Sequence, residues 1–186
     1  SHPSGSDRIF EAACKLNVPN DAVLVNIQGD EPALDPNMLT ALLKPFCNDP
    51  SVQVSTLAHP ISAADAENEN LVKIAMDLNN NALYFSRAPI PHIRQKHENT
   101  ACPEKEFWGH IGLYAFKFNT LKQFVGMPPS PLELREGLEQ LRFLEHGIPI
   151  RVALSNYLSS AVDVPEDIAK VELLKLEKNN LQAKPA

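Results

Sequence analysis

The fold is decided by a short apolar run that leads straight into an acidic bend, Ala22-Val23-Leu24-Val25-Asn26-Ile27-Gln28-Gly29-Asp30-Glu31-Pro32. The run is rich in β-branched residues and barely alternates with polar ones, which is typical of a strand buried on both faces of a parallel sheet. Gly29 permits a tight bend, and Pro32 cannot continue the hydrogen bonding of a strand. The segment predicts an α/β domain whose ligands gather where this strand ends.

Helix and strand signals alternate on both sides of this segment. Helices are predicted after the caps Ser4 or Ser6, after Asp35-Pro36, from Ser130 to Gly147 and after Val164. Further strands are expected at 52–57, 110–116 and 150–154, with a β-hairpin that joins 72–77 to 82–87 across three asparagines. We therefore predict a single α/β domain over residues 1–186, with a mostly parallel sheet and a β-hairpin insertion. Residues 89–106 are expected to form a mobile excursion, and residues 179–186 a loose tail.

Composition excludes several classes of protein. Hydrophobic residues make up 44% of the 186 residues, which is enough for a core and too many for a disordered chain. The net charge of −6 gives no basic surface for nucleic acid, and no apolar run is long enough to span a membrane. The three cysteines, Cys14, Cys47 and Cys102, are too far apart for a zinc site and are expected to be free thiols. The chain lacks an initial Met and opens inside a motif, so we expect it to be the later part of a longer protein.

Two acidic positions lie at predicted junctions between strand and helix. Asp30 follows the first strand, and Asp163 lies between the last strand and the last helix. Taken singly, each has an ordinary structural explanation, because carboxylates often cap helices or face solvent at such places. Taken together, they would lie at the ligand-binding edge of the sheet, where two carboxylates and substrate phosphates can hold Mg²⁺. The pair is therefore the first candidate metal site.

A polar stripe runs along the predicted helix from Pro131 to His146. Its members recur at intervals of four, three and four residues, Arg135, Glu139, Arg142 and His146. Such a stripe is either a solvated face with intrahelical ion pairs or a site for a polar sugar or a carboxylate. Gly137 in the middle of the helix costs about 1 kcal/mol relative to Ala.

Two other groups of residues are candidates for binding. Arg87 follows a strand and can either grip an anion or form a surface ion pair, and His110 and Tyr114 share one face of their strand. A lone histidine in an apolar strand is more often a core residue than a catalyst. The segment Ser4-Gly5-Ser6-Asp7-Arg8 precedes a helix, where backbone N–H groups can hold an anion. The sequence contains no phosphate-binding P-loop, dinucleotide fingerprint or hydrolase elbow.

Taken together in their order along the chain, these segments resemble those of the 3-deoxy-manno-octulosonate cytidylyltransferases, or CMP-Kdo synthetases. The matching segments span nearly the whole chain: Ser4-Gly5-Ser6-Asp7-Arg8, Val25-Asn26-Ile27-Gln28-Gly29-Asp30-Glu31-Pro32, 82–91, 110–116, Leu138-Glu139-Gln140-Leu141-Arg142 and 162–168. The resemblance implies a Rossmann-like nucleotidyltransferase fold. It also implies a homodimer in the cytoplasm of a Gram-negative-type bacterium, where the product serves lipopolysaccharide biosynthesis.

The resemblance implies a reaction and a role for each candidate residue. CTP and Kdo would give CMP-Kdo and pyrophosphate, with Mg²⁺ held by Asp30 and Asp163. These two residues and Arg87 would be catalytic. The sugar-acid site would comprise Gln28, Arg87, His110, Tyr114, Glu139 and Arg142. The nucleotide site would include Ser4, Gly5, Ser6 and Arg8.

The chain departs from the family in two respects. It lacks the initial strand and the Gly-rich basic segment that hold the triphosphate in the family, so the fragment alone is expected to bind CTP weakly and to be inactive. Ser6 stands where the family more often has Thr, a change that keeps the hydroxyl. Two alternatives remain open: a cytidylyltransferase for a related sugar acid, such as 8-amino-Kdo or a sialic acid, and a truncated domain that only binds or dimerises.

Overall fold

A computed structural model describes residues 4–27, 34–94 and 107–156, which form a six-stranded sheet with helices packed against it. In chain order the elements are α1 (Gly5–Lys15), β1 (Val23–Asn26), α2 (Pro36–Asn48), β2 (Val54–Ile61), α3 (Ala63–Ala66), β3 (Lys73–Met76), β4 (Ala82–Ser86), β5 (Phe107–Lys117), α4 (Phe118–Val125), α5 (Pro131–Glu136), α6 (Leu141–Glu145) and β6 (Ile150–Leu154). Helix α4 was not predicted from the sequence. The predicted helix after Val164, the tail at 179–186 and most of the excursion at 89–106 lie outside the described residues.

The longest strand, β5, lies at the centre of the sheet. It pairs antiparallel with β2 along one edge, and with β1 and β3 at different places on the other. Among the described strands the only parallel pair is β2 with β6, so the expectation of a mostly parallel sheet is wrong there. The prediction was wrong because an unbroken apolar run indicates only that both faces of a strand are covered. It does not indicate the direction of the neighbouring strand.

The two faces of the sheet carry separate cores. On one face, Met38 and Leu42 of α2 are fully buried against Leu57 and Leu113. The caps explain how α2 begins: the Asp35 carboxylate accepts from the N–H of Asn37 at 2.9 Å, and Pro36 is the first helical residue.

The other face of the sheet is packed with aromatic rings. Phe143 of α6 stacks on Phe124 of α4 with ring centroids 4.1 Å apart, and on Phe116 of β5 at 5.8 Å. Helices thus cover both faces, which accounts for the apolar character of the strands.

The predicted β-hairpin is confirmed as β3 and β4. Its turn is held by Asp77, whose carboxylate accepts from the backbone N–H groups of Asn79 at 2.8 Å and Asn81 at 2.7 Å. Asn80 has a φ of 59°, a left-handed conformation that Asn tolerates better than most residues. Local turn chemistry is therefore enough to specify this part of the sheet.

The predicted single helix from Pro131 to His146 is wrong. Helix α5 ends at Glu136, and Gly137 takes a φ of 64°, with its N–H donating to the carbonyl of Glu133 at 2.8 Å. Gly137 is therefore a left-handed C-cap and not a tolerated residue within a helix. The chain turns before α6, so the four polar residues of the predicted stripe do not share one helix face. None of the helices in the described part of the chain has both the length and the apolar character needed to cross a bilayer.

Candidate functional site

A cavity of about 90 Å³ lies beside the end of β1, between α1, β5 and the turn that follows α5. Its polar wall is formed by Ser6, Asn26, Tyr114, Glu139 and Gln140. A more open groove of about 690 Å³ shares Glu139 with it and runs past Ser4, Asp7 and Arg142. Three of the predicted site residues, Ser6, Tyr114 and Glu139, are therefore brought together at one place from three distant segments.

Ser6 and Glu139 are joined directly. Ser4 is the N-cap of α1, with its hydroxyl accepting from the N–H of Asp7 at 3.3 Å, and this cap fixes Ser6 in the first helical turn. The buried Ser6 hydroxyl donates to Oε2 of Glu139 at 2.9 Å. Ser6, which was predicted for the nucleotide site, thus forms a hydrogen bond with Glu139, which was predicted for the sugar-acid site.

Tyr114 offers a buried hydroxyl to the cavity. Its ring stacks on Phe116 with centroids 5.7 Å apart, and its hydroxyl has no hydrogen-bond partner among the described residues. Burial raises the pKa of Tyr114 well above its ordinary value; the nearby Thr56 hydroxyl acts to lower it, and the charge of Glu139 adds a smaller increase. The neutral phenol can therefore donate to, or accept from, a hydroxyl of a bound ligand.

His110 contacts Tyr114 but does not line the cavity. Its ring centroid lies 5.4 Å from that of Tyr114 and 5.2 Å from that of Phe85, and its Nε2 is 3.0 Å from the hydroxyl of Thr56. Burial lowers the pKa of His110 to about 3. The imidazole is therefore neutral at physiological pH, and it supports the wall of the cavity without carrying charge.

Arg87 is tied to the protein's own backbone. Its Nε donates to the carbonyl of Glu136 at 2.8 Å, and its Nη1 donates to the carbonyl of Glu69 at 3.1 Å. The Glu136 carboxylate in turn accepts from the N–H of Arg87 at 2.9 Å and from the Ser86 hydroxyl at 2.8 Å. Arg87 therefore clamps the end of β4 to the last turn of α5, just before the turn that carries Glu139.

Arg142 is also engaged within the protein. Its Nε donates to Glu133 at 2.7 Å, its Nη2 contacts the same carboxylate, and its Cζ lies 4.4 Å from the ring centroid of Phe124. Burial acts to raise the pKa of Glu133, but hydrogen bonds from Arg142 and Ser130 outweigh it and lower the pKa. The hydrogen bond to Glu133 raises the pKa of Arg142 further. This largely buried pair borders the open groove.

Two polar residues near Arg87, Glu136 and Lys73, are not predicted from the sequence. Glu136 joins β4 to α5. Lys73 is fully buried, and its Nζ donates to the carbonyl of Asn68 at 3.0 Å and to the carbonyl of Arg87. Desolvation by burial is the largest effect on Lys73, and it lowers the pKa. No sequence signal marks Lys73, because lysine in a short strand usually faces solvent.

The predicted metal ligands Asp30 and Asp163 and the predicted sugar ligand Gln28 lie outside the described residues. Within those residues, no group of three or more His, Cys, Asp or Glu side chains is arranged to hold a metal ion. Of the other predicted nucleotide-site residues, Ser4 and Gly5 form the start of α1, and Arg8 is exposed on that helix.

Known proteins share this architecture. The family model described as Cytidylyltransferase matches residues 1–152. A 3-deoxy-manno-octulosonate cytidylyltransferase from Nitratidesulfovibrio vulgaris is 54% identical over 167 residues, which are 90% of this chain and 65% of that protein. One from Syntrophotalea carbinolica is 41% identical over 175 residues, 92% of this chain and 69% of that protein. The structure of a CMP:2-keto-3-deoxy-manno-octonic acid synthetase complexed with CTP aligns with a TM-score of 0.84 at 37% identity, covering 96% of this chain and 70% of that one.

The sheet and its flanking helices are those of a nucleotidyltransferase fold, as the resemblance implied. The chain belongs to the cytidylyltransferase family, and its resemblance to the 3-deoxy-manno-octulosonate cytidylyltransferases is confirmed. It spans just under two thirds of the length of the Nitratidesulfovibrio relative.

Proposed function

We propose that this protein transfers the cytidylyl group of CTP to Kdo, giving CMP-Kdo and pyrophosphate. The observation that carries the proposal is the cavity in which Ser6, Tyr114 and Glu139 converge. It is polar on one wall and aromatic on the other, which suits a hydroxyl-rich sugar with one apolar face. The names of the relatives and the CTP bound to the similar structure support the choice of both substrates.

In the proposed reaction, the anomeric hydroxyl of Kdo attacks the α-phosphorus of CTP. The new P–O bond forms as the bond to the departing pyrophosphate breaks, and the hydroxyl proton is lost to solvent. The protein forms no covalent bond in such a transfer, so its contribution is to orient the two substrates and to place charge and hydrogen-bond donors around them.

We assign the sugar hydroxyls to Tyr114 and Glu139. The phenol has unused hydrogen-bonding capacity, and the carboxylate keeps one oxygen beyond the oxygen that Ser6 holds. His110, Arg87 and Arg142 then act mainly by supporting the elements around the cavity, because His110 Nε2, Arg87 Nε and Arg142 Nε are engaged with protein groups. Gln28 remains a proposed sugar ligand, and Ser4, Gly5 and Arg8 remain proposed contacts of the nucleotide.

The proposal includes Mg²⁺ held by Asp30 and Asp163. Both are hard oxygen donors of the kind that Mg²⁺ prefers. The segment that carries Asp30 follows β1, whose last residue, Asn26, lines the cavity. When bound, the ion would neutralise phosphate charge. We also propose a cytoplasmic homodimer whose product enters lipopolysaccharide biosynthesis, which the resemblance to the family supports.

The test is pyrophosphate release from CTP and a sugar acid in the presence of Mg²⁺, measured on the protein as its gene encodes it. Kdo, 8-amino-Kdo and a sialic acid are compared at equal concentration, and we expect Kdo to give the highest kcat/KM. Glu139→Gln should reduce kcat/KM for the sugar acid by about 100-fold, since a charged hydrogen bond is lost. Glu11→Gln, on the exposed face of α1, is the control.

Two outcomes would refute the assignment. Absence of pyrophosphate release with every sugar acid, from protein that is folded by circular dichroism, would point to a domain that only binds or dimerises. Asp30→Asn and Asp163→Asn should each abolish turnover at saturating Mg²⁺ and leave the fold intact. Full activity in either variant would remove that residue from the metal site.

A further inference from the structure

The pairing of β2 with β5 is interrupted at Thr56. Thr56 lies opposite Tyr114, whereas the next residue, Leu57, lies opposite Ile111, so β5 carries two extra residues, Gly112 and Leu113, at this point. A bulge of this kind bends a strand and redirects its side chains, and bulges recur beside binding sites. Here the bulge lies between His110 and Tyr114, the two predicted site residues of β5.

The hydroxyl of Thr56 is buried within this bulge and makes three contacts there. The carbonyls of Leu113, at 2.9 Å, and of Ile111, at 3.3 Å, are both within hydrogen-bond distance as acceptors. The hydroxyl also lies 3.0 Å from Nε2 of His110. A threonine hydroxyl has a single proton, and both backbone partners can only accept. With that proton given to the carbonyl of Leu113, the shorter of the two backbone contacts, the contact with His110 has the imidazole as its donor.

This proton assignment fixes the tautomer of His110. With Thr56 donating to the backbone, the neutral ring carries its proton on Nε2, and its Nδ1 is then the unprotonated nitrogen. A second proton is disfavoured, since burial against Phe85 and Tyr114 lowers the pKa of His110 to about 3. In this arrangement Phe85 and Tyr114 pack against the ring, and Thr56 selects which of its nitrogens carries hydrogen.

We propose that Thr56 is a positioning residue of the candidate site, which holds His110 as the Nε2–H tautomer and fixes the β5 bulge so that Tyr114 is presented to the cavity. Thr56 touches no substrate in this arrangement and acts through His110 and Tyr114. The consequence for sugar binding rests on the proposed function, whereas the tautomer and the bulge are properties of the free protein. The two parts can therefore be tested separately.

The first experiment measures ring ¹⁵N chemical shifts of His110 in the free protein at neutral pH. In the natural chain, Nε2 should give a protonated shift and Nδ1 an unprotonated one. Thr56→Ser keeps the hydroxyl and should keep this pattern. Thr56→Val has nearly the same volume without the hydroxyl, and it should shift the ring to a mixture of tautomers. Backbone amide spectra report that each variant is folded.

The second experiment measures pyrophosphate release in the same variants. Thr56→Val should raise the KM for Kdo about tenfold with little change in the KM for CTP, and Thr56→Ser should restore the natural value. A purely structural defect would instead lower the amount of active enzyme, which changes kcat and leaves both KM values alone.

Each outcome decides one part of the proposal. The proposed role of Thr56 toward His110 is overturned if the natural chain has the Nδ1–H tautomer. It is also overturned if Thr56→Val keeps the same tautomer as the natural chain. If Thr56→Val does not fold, the tautomer of the natural chain still decides. A lost tautomer preference with an unchanged KM for Kdo overturns the link to substrate binding. If neither the natural chain nor any variant releases pyrophosphate, the proposed function fails. The ¹⁵N result then still confirms or overturns the role of Thr56 toward His110.

Discussion

The hydroxyl of Ser6 donates to Oε2 of Glu139 at 2.9 Å, across 133 positions of the chain. One partner lies in the first turn of α1, and the other lies in the turn between α5 and α6. Since Glu139 belongs to a turn and not to a helix, this hydrogen bond is a main restraint on its side chain. The relationship makes the Glu139 wall of the cavity dependent on the start of α1.

Replacing Ser6 tests that dependence. Ser6→Ala removes the donor and leaves one carboxylate oxygen of Glu139 without its partner, so we expect the KM for Kdo to rise about fivefold to tenfold. Ser6→Thr keeps the hydroxyl and should retain the natural KM. The measurement is steady-state pyrophosphate release at varied Kdo and saturating CTP. An unchanged KM in Ser6→Ala would show that Glu139 is held by other contacts.

The Arg142–Glu133 pair predicts a large loss of stability on substitution. Both side chains are only 12% exposed, so Glu133→Gln removes the nearest carboxylate from a largely buried guanidinium and should lower the free energy of unfolding by about 3 kcal/mol. The exposed pair of Lys15 with Glu11 is the matched control, and Lys15→Ala should cost less than about 0.5 kcal/mol. Urea unfolding of both variants gives the comparison. Equal losses would mean that burial does not govern the Arg142 pair.

Gly137 should resist replacement for reasons of backbone conformation. Its φ of 64° is strained for any residue with a Cβ, so Gly137→Ala should destabilise the protein by about 1–2 kcal/mol. Gly126 ends α4 with an ordinary φ of −80°, and Gly126→Ala should change stability by less than about 0.5 kcal/mol. Thermal unfolding distinguishes the two. A destabilisation in Gly126→Ala as large as that in Gly137→Ala would contradict the conformational explanation.

His110 predicts how stability depends on pH. Burial lowers its folded pKa to about 3, whereas the unfolded chain has the ordinary value near 6.5. Between these values the unfolded chain binds a proton that the folded protein excludes, so stability falls as the pH drops from about 7 toward 3, by up to about 1.4 kcal/mol per pH unit. Burial lowers the pKa of His59 as well, and it acts in the same direction.

Urea unfolding between about pH 7 and pH 5 measures this slope, above the range in which carboxylates titrate. His110→Gln should flatten it, and the slope that remains belongs largely to His59. An identical slope in the natural chain and in His110→Gln would show that the imidazole is protonated in the folded state.

Features specified by neighbouring residues were predictable from the sequence. Ser4 and Asp35 were identified as possible caps and do cap α1 and α2, and the Asn-rich turn joins β3 to β4. Each depends on hydrogen bonds or backbone preferences within a few residues, so the residue types alone determine the outcome. Local chemistry is therefore enough to predict these elements.

Features decided by distant partners were not predictable. Leu134 fits the apolar periodicity of a longer helix, yet it is 71% exposed, because the chain turns at Gly137. Leu138 and Leu141, which follow the turn, are buried in the core. Arg142 has the chemistry of a carboxylate ligand, and the carboxylate it binds is that of Glu133 in α5, a helix it was expected to share. Residue type indicated an anion partner, and only the folded backbone shows which anion it is.

The position of β5 at the centre of the sheet also sets the order of events during synthesis. Its edges are filled by β1, β2 and β3, all of which precede it along the chain, and none of these three pairs with another of the three. As the polypeptide leaves the ribosome, β3 can pair with β4 in their hairpin, whereas β1 and β2 have no strand to pair with until Lys117 has been translated and released from the exit tunnel. Their apolar side chains are exposed to aggregation during that interval, so a chaperone that shields nascent chains should raise the yield of this protein more than that of a domain built from local hairpins.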